Sequence, residues 1–381
     1  MIVVIGTGLA GYLFSKEFRK QDANTPLMLL TKSDGYFYSK PLLSTALAYQ
    51  RTPDQLIMNN LDTMREQLNA TILRHVSVFK IDPRHQKIFF LDEQHREHHV
   101  VYTKLILANG ADPVCIPLQG DGAKDVLHVN QLEDYRIFRD KIAGKKRIAI
   151  LGTGLVGCEF TNDLIHAGYH VTMIAPDNTV LARLVPAAVG DVLKNAFEKA
   201  GVQFYLSVFP IIVQKKKSSY DIVLSNHQKI EADVILSATG IKPNVTLAKT
   251  ASVKTNVGIV VNSYLQTSDH AIFAMGDCAE VNGEIKMTVA PILQQAKIVA
   301  HMMVDKKPVI ENIISPIVVK TPLCPVVILP PPKEVMGEWK IETDGMHVKA
   351  LFYDQKNQLR GFVLSGNKVK EKQAIIQKLI S

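Results

Sequence analysis

Ile2-Val3-Val4-Ile5-Gly6-Thr7-Gly8-Leu9-Ala10-Gly11 opens the chain. The apolar run 2–5 reads as a buried strand, Gly6 to Gly11 as a tight turn, and 12–20 as a helix, with a second strand over 27–31. Each glycine has its own reason. Gly6 allows the turn, Gly8 lets backbone approach a pyrophosphate, and Gly11 lets the helix pack on the strand. The helix N-terminus then faces the phosphates.

The same order returns at 147–151, 152–157, 158–167 and 171–175, with Gly152-Thr153-Gly154-Leu155-Val156-Gly157 as the second turn. Internal duplication is the simplest account, and it predicts two nucleotide-binding units. Between them, an apolar strand over 100–109 ends in the loop signal Asn109-Gly110-Ala111-Asp112-Pro113. Residues 233–240 mirror it. The run 272–277 and the helix after Pro291 look like closing elements of the first domain, so the middle domain is expected to be an insertion. The boundaries follow as 1–111 with 236–307, then 112–235, then 308–381.

Beyond residue 307 the pattern turns to proline-rich turns, including Pro330-Pro331-Pro332, then strands over 345–353 and 359–364 and a final amphipathic helix. The expected fold is therefore α/β: two Rossmann-like dinucleotide-binding domains, the second inserted in the first, plus a small α+β C-terminal domain. A chain of 381 residues that is 47% hydrophobic can bury cores of this number. The run 2–5 has no basic segment before it and meets glycines at once, unlike a signal peptide or membrane span. A cytoplasmic protein without membrane insertion is expected.

Cys115, Cys158, Cys278 and Cys324 lie far apart, with no C-x-x-C pair and no zinc or iron–sulfur spacing. They read as buried thiols, and no metal site is expected. The formal charge of +8 suits a solubilising surface or an acidic protein partner. No helix-turn-helix, zinc-finger or aromatic RNA-binding signature gives it a nucleic-acid meaning. The run Lys215-Lys216-Lys217 reads as a solvated loop beside a hairpin turn.

A third signal is Ala274-Met275-Gly276-Asp277, an apolar strand delivering Gly-Asp to a loop, where Asp277 can accept a ribityl hydroxyl. One departure concerns the adenosine end of the first unit. Thr31-Lys32 stands where an acid usually grips the ribose, so Thr31, Lys32 and the backbone near Val78 become the ribose contacts, each equally readable as a plain strand-end or core residue. In the second unit, Ala175-Pro176-Asp177 follows the strand and no arginine pair awaits a 2′-phosphate, which favours NADH over NADPH.

With Ser237-Ala238-Thr239-Gly240 and the residues after it, these motifs make residues 1–310 resemble the two-dinucleotide flavoproteins of the glutathione-reductase-like family. The resemblance implies FAD on the first domain and a nicotinamide on the second, at Gly152, Gly154, Leu155, Val156, Gly157 and Gly240, with hydride transfer to the flavin. FAD would take Gly6, Thr7, Gly8, Leu9, Ala10, Gly11, Thr31, Lys32, Val78 and Asp277.

Disulfide reductases of the family carry a redox cysteine where this chain has Tyr38-Ser39-Lys40-Pro41-Leu42-Leu43-Ser44, so thiol chemistry is not expected. Lys40 resembles the family lysine beside the flavin, and Glu159 its carboxylate partner; together they form the expected catalytic pair. Taken alone, Lys40 reads equally as a solvated lysine and Glu159 as an acid near a helix N-terminus. Within the family, 38–41, 158–164 and 318–325 are most similar to the rubredoxin reductases of alkane-oxidising and related aerobic bacteria. That likeness implies further FAD contacts at Val289, through its backbone, and Lys320.

It also implies electron transfer from NADH through FAD to two molecules of rubredoxin, an acidic protein, in support of an oxygenase or an oxygen-detoxifying system. Three alternatives stay open: a ferredoxin reductase of an oxygenase system, an NADH oxidase, and a non-catalytic NADH-sensing flavoprotein. Both monomer and homodimer are compatible with the sequence.

Overall fold

Four apolar residues with nothing to offer water are stable only when covered on both faces, and Ile2–Ile5 is buried at every position. It is the centre of a five-stranded parallel sheet ordered Ile272–Ala274, Lys104–Leu107, Ile2–Ile5, Leu27–Leu30, Thr71–Leu73. Ile5 stands level with Leu30 on one side and Leu107 on the other. Gly6, Thr31 and Ala108 therefore leave the sheet along one edge, the carboxyl edge where open α/β sheets bind ligands.

A computed structural model describes residues 1–310 and 314–380. By its contacts the chain divides into two units, the first made of Met1–Lys40, Asp54–Asp112 and Ile241–Ile313, the second of Pro41–Pro53, Pro113–Gly240 and Ile314–Ser381. Residues 311–313 and 381 of the expected C-terminal region lie outside the described residues.

In the first unit the helices Leu9–Arg19 and Val289–Met302 pack on one another, covering the core with Tyr12, Phe14, Phe18, Ala296 and Val299. The first begins at Leu9, three residues earlier than expected, because Gly8 already serves as its cap. The strand expected over 100–109 is two pieces. Glu97–Val101 closes a three-stranded antiparallel meander, and only after Tyr102 and Thr103 does the chain enter the parallel sheet. Tyr102 N–H donates to Gln86 O and Thr103 N–H to Met1 O, so the chain changes sheets there.

The second unit holds a parallel sheet of the same design, ordered Leu127–His128, Val234–Ser237, Arg147–Leu151, His170–Ala175, Gln203–Leu206. The same unit carries a C-terminal antiparallel sheet, ordered Ile317–Val319, Val326–Leu329, Leu359–Ser365, His347–Asp354, Gly337–Asp344, with the helix Lys372–Ile380 after it. Val327, Phe362, Leu364 and Ile375 form the core between that sheet and helix. The strand expected from 345 starts at His347, since Gly345 turns the hairpin at φ +57°.

One surface expectation is corrected: Cys115, two residues beyond the short strand Ala111–Pro113, is exposed. Lys215, Lys216 and Lys217 are exposed at the hairpin between Pro210–Lys215 and Tyr220–Leu224, where Lys215 pairs with Asp125 at 2.7 Å and Lys216 with Asp221 at 2.6 Å. Among the described residues no helix is long and apolar enough to cross a membrane.

Candidate active site

Both glycine turns can be measured by what a side chain would meet. At Gly6, φ is +110° and an added Cβ would lie 2.3 Å from Ala108 O; at Gly11 it would lie 2.0 Å from Gly6 O. At Gly8 it would meet nothing within 4 Å. Two positions are closed against their own backbone, and the one between them opens onto free space at a helix N-terminus. The second turn repeats the pattern: Gly152 at φ +110° with Ala238 O at 2.6 Å, Gly157 with Gly152 O at 2.3 Å, and Gly154 open.

Neither helix carries an acid in its first turn, so no fixed negative charge opposes a phosphate. These cradles fit a dinucleotide pyrophosphate each. Thr7 and Ala10 are buried in the first, whereas Leu155 is half-buried and Val156 exposed at the second. Gly240, at φ +113° with open space where a Cβ would stand, lies three residues beyond the strand Val234–Ser237.

Asp277 reaches the first cradle through Gly276. That glycine, at φ +74°, sits so close to the first helix that a Cβ would stand 2.8 Å from Ala10 Cβ. Its N–H donates to the buried Gln295 Oε1 at 2.7 Å, which anchors the turn. Burial raises the Asp277 carboxyl above its ordinary range, and the positive charge of Lys40 pulls the other way. A buried carboxyl of this kind gains from a hydroxyl donor.

At the far end of the sheet, a cavity of ≈ 340 Å³ is lined by Lys32, His75, Val76, Ser77 and Asp92 among others. Thr31 is committed locally: its hydroxyl bonds Ser33 at 3.0 Å, its N–H donates to Leu73 O and its O accepts from Val76 N–H. Lys32 is exposed beside it, and Val78 is half-buried in the meander. His75 pairs with Asp34 at 3.2 Å, a feature with no sequence signal. Val289 is exposed as the first residue of its helix, where backbone N–H groups lack intrahelical partners.

Glu159 is only 7% exposed and fully engaged. Its Oε2 accepts from Ser44 Oγ at 2.7 Å and from Lys320 Nζ; its Oε1 accepts from the Lys320 backbone N–H at 3.1 Å. Lys320 Nζ also reaches Ser44 Oγ at 3.1 Å. The structure therefore joins two predicted residues from positions 161 apart in sequence and adds Ser44, which stood in the quoted serine-leucine segment without a role. Asn162 and Asp163 of the same helix also bind loops, and Asn109 Oδ1 is buried without a hydrogen-bond partner. Asn162 and Asp163 stood inside the 158–164 run, and Asn109 inside the loop signal, without a role of their own.

Burial pushes the Cys158 thiol well above its ordinary value, Cys278 up to about 12 and Cys324 up to about 11. Thiolates are the reactive form, so these three are inert at neutral pH.

Residues 1–299 match the family described as pyridine nucleotide-disulphide oxidoreductase, and residues 311–379 match the rubredoxin binding C-terminal domain. Two relatives span almost the whole chain. The Rubredoxin-NAD(+) reductase of Acinetobacter baylyi is 40% identical over 385 residues, covering 100% of this chain and 97% of the relative. That of Alcanivorax borkumensis is 38% identical over 379 residues, covering 99% and 98%. Among solved structures, NADH:rubredoxin oxidoreductase from Clostridium acetobutylicum superposes with a TM-score of 0.82 at 19% identity, covering 99% of this chain and 94% of that one, a likeness of fold.

Proposed function

The chain belongs to the pyridine nucleotide-disulphide oxidoreductase family, and on that premise we propose that it carries electrons from NADH through bound FAD to rubredoxin, the activity of a rubredoxin–NAD(+) reductase. The observation that carries the reading is one chain in which the oxidoreductase match, 1–299, is followed by a rubredoxin binding domain, 311–379. Bound FAD would supply the conversion between the two-electron donor NADH and the one-electron acceptor rubredoxin, two molecules of which would be reduced per NADH.

The chain's own residues divide the remaining work. Gly6, Thr7, Gly8, Leu9, Ala10 and Gly11 hold the FAD pyrophosphate, Asp277 a ribityl hydroxyl, and Thr31, Lys32 and Val78 the adenosine end. Val289 contributes backbone. Gly152, Gly154, Leu155, Val156, Gly157 and Gly240 hold NADH. Lys40 supplies a positive charge that favours the electron-rich reduced ring. Glu159 and Lys320 complete the site as a pair, each compensating the other's burial.

The domain reading belongs to the same proposal: 1–111 with 236–307 for FAD, 112–235 for NADH, 308–381 for rubredoxin. Four of the five strands run in the same order in the two parallel sheets, Lys104–Leu107, Ile2–Ile5, Leu27–Leu30, Thr71–Leu73 against Val234–Ser237, Arg147–Leu151, His170–Ala175, Gln203–Leu206, which supports two units of one design. The cytoplasmic placement and the supply of electrons to an alkane hydroxylase or an oxygen-detoxifying system belong to the same proposal.

The test is anaerobic stopped-flow on the FAD-loaded protein, reduced by NADH and then mixed with rubredoxin or a two-iron ferredoxin. Fast reoxidation by rubredoxin alone, slowed by salt as the charge of +8 requires of an acidic partner, is the expected result. Fast reoxidation by ferredoxin or only by oxygen would transfer the protein to those reductases or oxidases. Slow turnover with every acceptor would make it a sensor.

A further inference from the structure

The second glycine-turn helix, Leu155–His166, buries polar side chains where a helix of this kind usually buries apolar ones: Glu159, Thr161, Asn162 and Asp163 are all under a tenth exposed. Three of them share a face by their i, i+3 and i+4 spacing. Glu159 holds Ser44 and Lys320. Asn162 Oδ1 accepts from Leu323 N–H at 3.3 Å. Asp163 accepts from two amides, Ala48 N–H at 2.7 Å on Oδ1 and Leu47 N–H at 3.1 Å on Oδ2.

This face explains an oddity of the fold. Pro41–Pro53 belongs to the second unit although the chain on both sides of it belongs to the first. The segment is held by the helix at two points, Ser44 on Glu159 and Leu47-Ala48 on Asp163. Between the crossing and the first hold lies one short 3-10 turn, Lys40–Ser44, with Lys40 as its first residue. Burial raises the Asp163 carboxyl above its ordinary range, and against that cost both of its oxygens accept from backbone N–H groups of a loop, with the charge of Arg139 in support.

We propose that Asp163 is a positioning residue for flavin reduction: its carboxylate holds Leu47 and Ala48, fixes the Lys40–Ser44 turn, and thereby sets where the Lys40 ammonium stands. The inference rests on the reading of Lys40 as the lysine beside the flavin.

The test uses the FAD-loaded full chain as Asp163→Ala, Asp163→Asn, Lys40→Ala and the double variant Asp163→Ala/Lys40→Ala. Misplacing a charged group by about an ångström lowers the rate about 10- to 100-fold. Asp163→Ala is expected to slow NADH-driven flavin reduction by that factor at saturating NADH, with the Kd for NADH changed less than about twofold. Asp163→Asn, which keeps one acceptor, recovers part of the rate and increases hydrogen exchange at the Leu47 and Ala48 amides. The double variant is expected to be no slower than Lys40→Ala, because both changes remove one effect.

A slow Lys40→Ala beside an Asp163→Ala at the parent rate, or effects that multiply in the double variant, would overturn the positioning role alone. A parent rate in Lys40→Ala would overturn the reading of the lysine. If Asp163→Ala fails to fold, the Asn variant decides: a parent rate despite faster exchange at Leu47 and Ala48 refutes the proposal.

Discussion

The two glycine-turn helices begin alike and end differently. Gly8 and Gly154 cap them with nearly the same backbone, φ −68° and −74°, and both turns close against a neighbouring strand-end carbonyl. At the matching later positions the first helix has Leu13, Lys16 and Glu17, and the second has Glu159, Asn162 and Asp163. The first four residues of each follow the same glycine turn. Both helices then hold other parts of their own unit, but with opposite chemistry: the first donates from Arg19 to the carbonyls of Leu68 and Asn69, and the second accepts on buried Glu159, Asn162 and Asp163 from the 41–53 segment and the loop after Ile317–Val319. A duplicated unit keeps what its ligand demands and is free to diverge one turn further on.

The sharpest way to break this comparison is to spoil each turn separately. A non-glycine residue at φ near +110° bears about 1–3 kcal/mol of strain, before the contact of its Cβ with a carbonyl oxygen is counted. Gly6→Ala should therefore purify with less than roughly a tenth of the parent's FAD, read from its visible absorption. Gly152→Ala should stay yellow yet be reduced at least about tenfold more slowly at low NADH. Loss of flavin from both variants would mean that the turns do not serve different nucleotides.

A middle-sized effect distinguishes the turns by the acid beside the first. Because burial raises the Asp277 carboxyl, the folded apoprotein holds that proton more tightly than the unfolded chain does. This term favours the fold below the ordinary carboxylate range and is lost as pH rises past the raised value. Asp277→Asn removes it, so the stability of the FAD-free variant against unfolding should gain on the parent's as pH rises above the ordinary carboxylate range. Its FAD affinity should fall while its NADH affinity holds. A difference that shrinks with pH would reverse the sign argued here.

The smallest effect lies at the position matching Asp163. Glu17 makes an exposed pair with Lys20 at 2.5 Å. Glu17→Ala should shift urea unfolding by less than about 0.5 kcal/mol and leave flavin reduction untouched. A large kinetic effect there would remove the contrast between the two helices.

Much of the fold was legible because its deciding signals are local. A buried strand, a glycine turn and a helix N-terminus occupy ten neighbouring residues, and each glycine answers to contacts within that turn or one strand away. The Gly276-Asp277 junction was legible for the same reason. The boundaries that went astray lay where neighbouring chain decides: Val101 and Lys104 look continuous in an apolar run, but they belong to different sheets because Tyr102 and Thr103 bond to Gln86 and Met1. Cys115 read as buried by residue type, and it is exposed.

By itself, then, the sequence determined two dinucleotide cradles, their order, the carboxylate delivered to the first and the lack of paired cysteines, since each depends on residues close in the chain. Tertiary structure alone decided that Glu159 would hold Lys320 and Ser44, and that Asp163 would hold Leu47 and Ala48. Those bonds join residues more than a hundred positions apart. A buried charge takes its partner from whatever the packed chain brings within about 3 Å, and no local pattern records that choice.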